Sequence, residues 1–130
     1  MTITMNLEIE KGSSLKDISE VLSIVGAGVE ISECNVVGNF ELSNCYFVFR
    51  YCEGSDSVAA EGANLSWRVG VEGAFHCRAN ALSESWIDIK SFLDHLSKKT
   101  TFRFVLSFQY ESVYAVRNGG DVEFVKQMIQ

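Results

Sequence analysis

The chain is predicted to fold as α+β, a mostly antiparallel sheet of five or six strands with two main helices packed on one face. Three observations predict it. From Thr101 to Tyr110, Phe102, Phe104, Leu106 and Phe108 alternate with Arg103, Val105, Ser107 and Gln109, the two-residue period of a strand with one wholly apolar face. Each phenylalanine in that row buries on the order of 150–250 Å², so the face needs a covering layer. Two stretches supply it, residues 14–25 and 85–98, where apolar side chains recur at helical spacing behind a Ser-x-x-Asp start. Most of the remainder, residues 2–10, 29–52 and 65–77, reads as strands punctuated by glycine.

In chain order, Thr2–Glu10 sets Ile3, Met5, Leu7 and Ile9 against Thr4, Asn6, Glu8 and Glu10, a half-buried strand with an acidic polar face. Lys11-Gly12-Ser13 turns the chain, and Ser14 offers its oxygen to the free amides of a helix that carries Asp17 in its first turn. Leu15, Ile18, Leu22 and Val25 share one face of that helix, which Gly26-Ala27-Gly28 ends. This Gly-x-Gly follows a helix instead of opening one, so it reads as a stop and not as a phosphate loop.

Val29–Val37 is expected as one strand, Gly38-Asn39 as a turn and Phe40–Leu42 as a continuation. Asn44–Cys52 is apolar on both faces except for Arg50, which suits an interior strand and requires a carboxylate partner for the arginine. Glu53–Asn64 is small and polar, an exposed loop carrying Glu53, Asp56 and Glu61. In the next strand, Leu65, Trp67, Val69, Val71, Phe75 and Cys77 oppose Ser66, Arg68, Glu72, His76 and Arg78, with Gly70 and Gly73 marking a bulge or bend.

Ser85-x-x-Asp88 opens the second helix, whose inner face carries Trp86, Ile89, Leu93 and Leu96 and whose end is marked by Lys98 and Lys99. Ser112–Arg117 is short and close enough to return as the hairpin partner of residues 101–110. Asp121 is expected to cap a last helix with Val122, Val125, Met128 and Ile129 on one face, a better fit than a terminal strand. The order is then β-α-β-β-β-α-β-β, and the first strand, helix and second strand are open to a right-handed crossover with one parallel pair.

At 130 residues, 47% apolar and 22% charged, the sequence is expected to form a single globular domain. A formal charge of -6 disfavours nucleic-acid phosphates and favours basic partners. Cys34, Cys45, Cys52 and Cys77 lie 11, 7 and 25 positions apart, without a zinc-ligand spacing. The opening MTITMNLEIEKG has neither basic head nor apolar run, so a reducing cytoplasm and buried thiols are expected. No apolar run approaches the roughly 20 residues that span a bilayer.

No nucleophile, histidine and carboxylate fall in a hydrolase pattern, and His76 and His95 are the only histidines. Neither a cofactor nor a metal is expected. Glu72 and Glu111 are the carboxylates flanked by strand aromatics, and Arg50, Arg68, Glu72 and His76 are the residues from which a small-ligand site or enzyme would be assembled. A structural or chaperone-like subunit exposing an apolar element is a third class.

The whole chain resembles the small acidic immunity proteins that bacteria encode beside polymorphic or contact-dependent growth-inhibition toxins. The likeness lies in length, acidic balance and the order in which SESWIDIKSFLDHL leads into FRFVLSFQYESVYAVRN. It implies a non-enzymatic, cofactor-free cytoplasmic protein that binds a basic toxin domain, such as a nuclease, and blocks its active site. The residues expected to dock are Glu53, Asp56 and Glu61 in the loop, with Tyr110 and Glu111 at the hairpin turn. An unpaired strand edge would also admit a homodimer.

Overall fold

The structure, a computed structural model, describes residues 1–52, 57–63 and 65–129. In chain order its elements are β1 (Thr2–Glu10), α1 (Leu15–Ile24), β2 (Gly28–Ile31), β3 (Asn35–Asn39), β4 (Tyr46–Tyr51), β5 (Val69–Arg78), α2 (Leu82–Lys99), β6 (Phe104–Phe108), β7 (Ser112–Arg117) and β8 (Glu123–Phe124). The strands form one sheet in the order β2-β3-β4-β5-β1-β6-β7-β8. Every pairing is antiparallel. The fold is therefore α+β, as expected, but among the described residues the sheet has eight strands where five or six were expected, and no parallel crossover pair.

The extra strands have local causes. Residues 29–37 do not run through as one strand, because the Ser32 hydroxyl accepts from the amides of Cys34 and Asn35 and folds a turn between β2 and β3. Gly38-Asn39 then lies inside β3 instead of turning. A Cβ at Gly38 would stand 1.8 Å from the Gly28 carbonyl oxygen, so this pairing tolerates only glycine. Phe40–Leu42 forms part of the turn into β4. After Asn118-Gly119-Gly120 the chain makes the two-residue β8 and not the expected helix. The Val125 and Lys126 amides donate to the Tyr114 carbonyl, and such cross-strand partners replace helical ones.

The helices cover one face. Ser14 caps α1, its hydroxyl accepting from the Asp17 amide at 3.1 Å. The second capping box is not used: α2 starts earlier, at Leu82 after a 3-10 turn, and Ser85 is buried within it. Asp88 instead accepts the Ser43 amide at 2.8 Å, fastening the turn before β4 to α2.

Between helices and sheet lie Leu7, Ile9, Ile18, Leu22, Phe104 and Leu106, with Phe102 and Phe108 packed at the edge, so the apolar row of residues 102–108 faces the helix layer as expected. The ring cluster of Phe40, Phe47, Phe49, Phe75 and Phe92, with centroids 5.0–6.3 Å apart, forms its densest part. Gly73 stands opposite Phe49 on the neighbouring strand and leaves room for that ring, so it is a packing position and not a bend.

The bend is at Gly70. Ile9 pairs with Val71 and Glu10 with Val69, so Gly70 is the extra residue of a bulge. The expected single apolar face of Leu65–Cys77 is split there. Val71, Phe75 and Cys77 join the main core, whereas Trp67 and Val69 join Ala60 and Val105 in a second cluster.

Candidate functional site

The side of the sheet away from the helices is divided in two. Over one half, residues 57–63 and 65–67 fold down and close the second cluster, with Val58, Ala63, Leu65 and Val113 around Ala60, Trp67, Val69 and Val105. Strand periodicity aims Glu8 at this side, between the core residues Leu7 and Ile9. Its carboxylate accepts the Ala59 amide at 2.7 Å and the Ala60 amide at 3.0 Å, which holds the covering segment down. The Glu61 amide donates to the Tyr110 carbonyl at 2.7 Å, attaching the same segment to the β6–β7 hairpin.

Burial, with a smaller push from the charge of Glu72, raises the Glu8 pKa above its ordinary value of 4.5 against the opposing pull of the two amide bonds. From pH 4.5 up to that raised value the folded protein keeps a proton that the unfolded chain has released, so stability is expected to fall across that window as pH rises. Glu10 behaves oppositely. The Arg103 guanidinium bonded to it holds its carboxyl below 4.5, and its contribution is lost only as pH drops beneath that value. Glu8→Gln should therefore abolish the declining flank above pH 4.5 and leave the acid-side loss intact. Urea midpoints across pH check this, and an unchanged upper flank in the variant would refute the assignment.

The other half is open. β4 contributes Val48 and Arg50, β5 contributes Glu72 and His76, and β1 contributes Asn6. With Tyr110 these residues line a shallow hollow of about 260 Å³. Arg50 and Glu72 are register partners, and the guanidinium Nε donates to the carboxylate at 2.7 Å. That bond raises the Arg50 pKa. Arg50 thus has its carboxylate partner, but on a solvent-facing surface: its side chain is 69% exposed. His76 Nδ1 lies 3.2 Å from Thr4 Oγ1, and its ring stacks on Tyr46 at 5.9 Å.

Tyr110 reaches this surface through an unusual backbone. Gln109 (φ 50°) and Tyr110 (φ 64°) both occupy the left-handed region, and Glu111 N–H donates to the Phe108 carbonyl at 2.9 Å. Within the three-residue loop between β6 and β7, these two central positions of the 108–111 turn are ones that Asn-Gly normally fills. A left-handed conformation costs a residue with a side chain roughly 1–2 kcal/mol. Burial first, then the charges of Glu72 and Glu8, push the Tyr110 pKa up, so its phenol is a neutral hydrogen-bonding group.

No family model, curated protein or solved structure matches the chain.

Among the sequence-predicted residues, the fold gathers Arg50, Glu72 and His76 in the hollow, with Tyr110 at its edge and the exposed Glu61 and Glu111 beside that turn. It leaves Arg68 elsewhere, near Ser57. Glu53 and Asp56 lie outside the described residues. Sequence reading missed Tyr46 and Asn6, which only the pairing order brings to this surface, and the covering function of Glu8. The expectation of buried thiols holds for Cys45 and Cys77, whereas Cys52 is half-buried and Cys34 exposed. Among the described residues no three His, Cys, Asp or Glu side chains converge as a metal site. No described helix is long and apolar enough to cross a membrane. The surface offers an ion pair, an imidazole and one phenol on strands, with a second phenol on the β6–β7 turn, groups suited to recognition.

Proposed function

We propose that this protein is an inhibitory binding partner of the immunity class, which docks the open sheet surface and the β6–β7 turn on a basic toxin domain and blocks that domain's active site. The observation that carries the reading is the Gln109-Tyr110 turn. Two residues with side chains are held where glycine would cost less, and the result is a phenol presented beside Arg50, Glu72 and the exposed Glu61 and Glu111. Stored backbone strain of this kind concentrates at ligand clamps and binding surfaces. The hollow also falls short of the roughly 300–1,000 Å³ of small-molecule sites, so it fits a side chain of a larger partner better than a metabolite. The net charge of -6 would steer a basic partner toward it.

The test is growth of bacteria producing the toxic domain encoded next to this chain, with and without the protein, paired with binding kinetics of the two purified components. Rescue with a one-to-one complex is expected. Tyr110→Asn keeps a residue that tolerates the left-handed backbone but removes the ring, and should weaken binding by about 30-fold, as for a central aromatic anchor. Glu61→Lys combined with Glu111→Lys should slow association about tenfold at low salt, with the difference shrinking as salt rises. Tight binding that neither variant alters would exclude this surface, and failure of rescue and of complex formation would remove the reading.

A further inference from the structure

Cys45 and Cys77 meet inside the core. Tyr46 is the register partner of His76 and Phe47 of Phe75, so one step further back Cys45 stands directly across from Cys77 on the neighbouring strand. Both side chains point to the helix layer and are buried, and their sulfurs are 3.4 Å apart. Directly opposed strand residues have Cβ atoms about 4.5–5.5 Å apart, and a disulfide needs about 3.5–4.5 Å, so closure asks for a contraction of roughly 1 Å without a change of register. We propose that Cys45 and Cys77 are a redox-active pair that closes to a cross-strand disulfide when the protein meets a small-molecule disulfide of the glutathione class.

The exchange balances. The Cys77 thiolate attacks the oxidant and releases one thiolate, forming a mixed disulfide. Cys45 then gives up its proton and attacks the Cys77 sulfur, releasing the second thiolate. Two electrons pass from the protein to the oxidant, and the two protons leave with its two thiols. The shared hydrogen bond supports this order, because it lowers the pKa of Cys77 while raising that of Cys45.

Both sulfurs are sealed, so oxidant enters by local opening. The turn before β4 is the available door. Glu41, Leu42 and Asn44 are exposed on it, and beside the packing of Phe40 on Phe92 its polar anchor to the helix layer is the Ser43 amide bond to Asp88 at 2.8 Å. Removing that anchor should raise the frequency of opening, and with it the rate of oxidation, while leaving the cysteines in place.

The experiment uses the full chain with Cys34→Ser, which removes the exposed thiol that would link molecules together. The folded protein is incubated with oxidised glutathione, alkylated under denaturing conditions and mapped by mass spectrometry without reduction. A Cys45–Cys77 linked peptide in a monomer is expected, together with a melting temperature higher by roughly 5–15 °C and reversal of both by a dithiol reductant. In the same background, Asp88→Ala should speed formation of the link about tenfold. Recovery of both cysteines as alkylated thiols, or a link that appears only in denaturant, would overturn the pair; an unchanged rate in Asp88→Ala would overturn the entry route.

Discussion

Arg117→Ala is expected to lower stability by about 2–3 kcal/mol, because the buried guanidinium bonds three part-buried or exposed carbonyls from three segments and its loss unties them together. Arg117 ends β7 and is 8% exposed, with no carboxylate bonded to it among the described residues. Its Nε donates to the Gly120 carbonyl at 2.9 Å, and its Nη1 donates to Thr100 at 2.7 Å and to Phe102 at 3.0 Å. One side chain thus joins the end of α2, the entry to β6 and the turn into β8. Arg117→Met refills most of the volume and restores no bond, so it should cost nearly as much. Urea unfolding of both variants decides the matter. A methionine variant as stable as the parent would mean that desolvating the guanidinium offsets what its hydrogen bonds contribute.

Gly73→Ala should cost about 3 kcal/mol, at the upper end of what overpacking a core produces. A Cβ there would meet Phe49 at 2.4 Å and 2.5 Å, far inside contact distance. The Phe49 ring cannot withdraw, since Phe47, Phe75 and Phe92 surround it at centroid distances of 5.9, 5.6 and 5.7 Å. Adding Phe49→Leu to Gly73→Ala should recover part of the loss, a non-additivity that a double-mutant cycle would measure. Independent, additive effects would show that the ring and the glycine do not share this space.

Much of this organisation is legible in the sequence where a period persists. The apolar row of residues 102–108, the Leu15, Ile18 and Leu22 face of α1 and the Ser14 cap all follow from spacing and local chemistry. Prediction fails where a competing local bond interrupts the period. Ser32 folds a turn inside an apparently continuous strand, Gly70 divides one apolar face between two clusters, and Asp88 serves the Ser43 amide instead of its own helix. The proposed site was readable only in part for a different reason. Arg50, Glu72 and His76 stand out as charged or titratable residues on strands, but Tyr46, Asn6 and Tyr110 join them through pairings between distant segments, which no local pattern encodes.

The place of β1 in the sheet governs how the molecule can be made. It is the earliest strand of this sequence, yet its partners are β5, where Thr2 meets Arg78, and β6, where Met5 meets Phe108. A nascent chain therefore carries a half-apolar segment with both edges vacant until β5 has been synthesised, and with one edge still vacant until β6 follows, about a hundred residues after β1. Closing such separated contacts makes folding slow relative to helical proteins of the same size. Glu8 and Glu10, charged on the face of β1 opposite Leu7 and Ile9, then act before any native contact exists, discouraging one waiting strand from pairing with another.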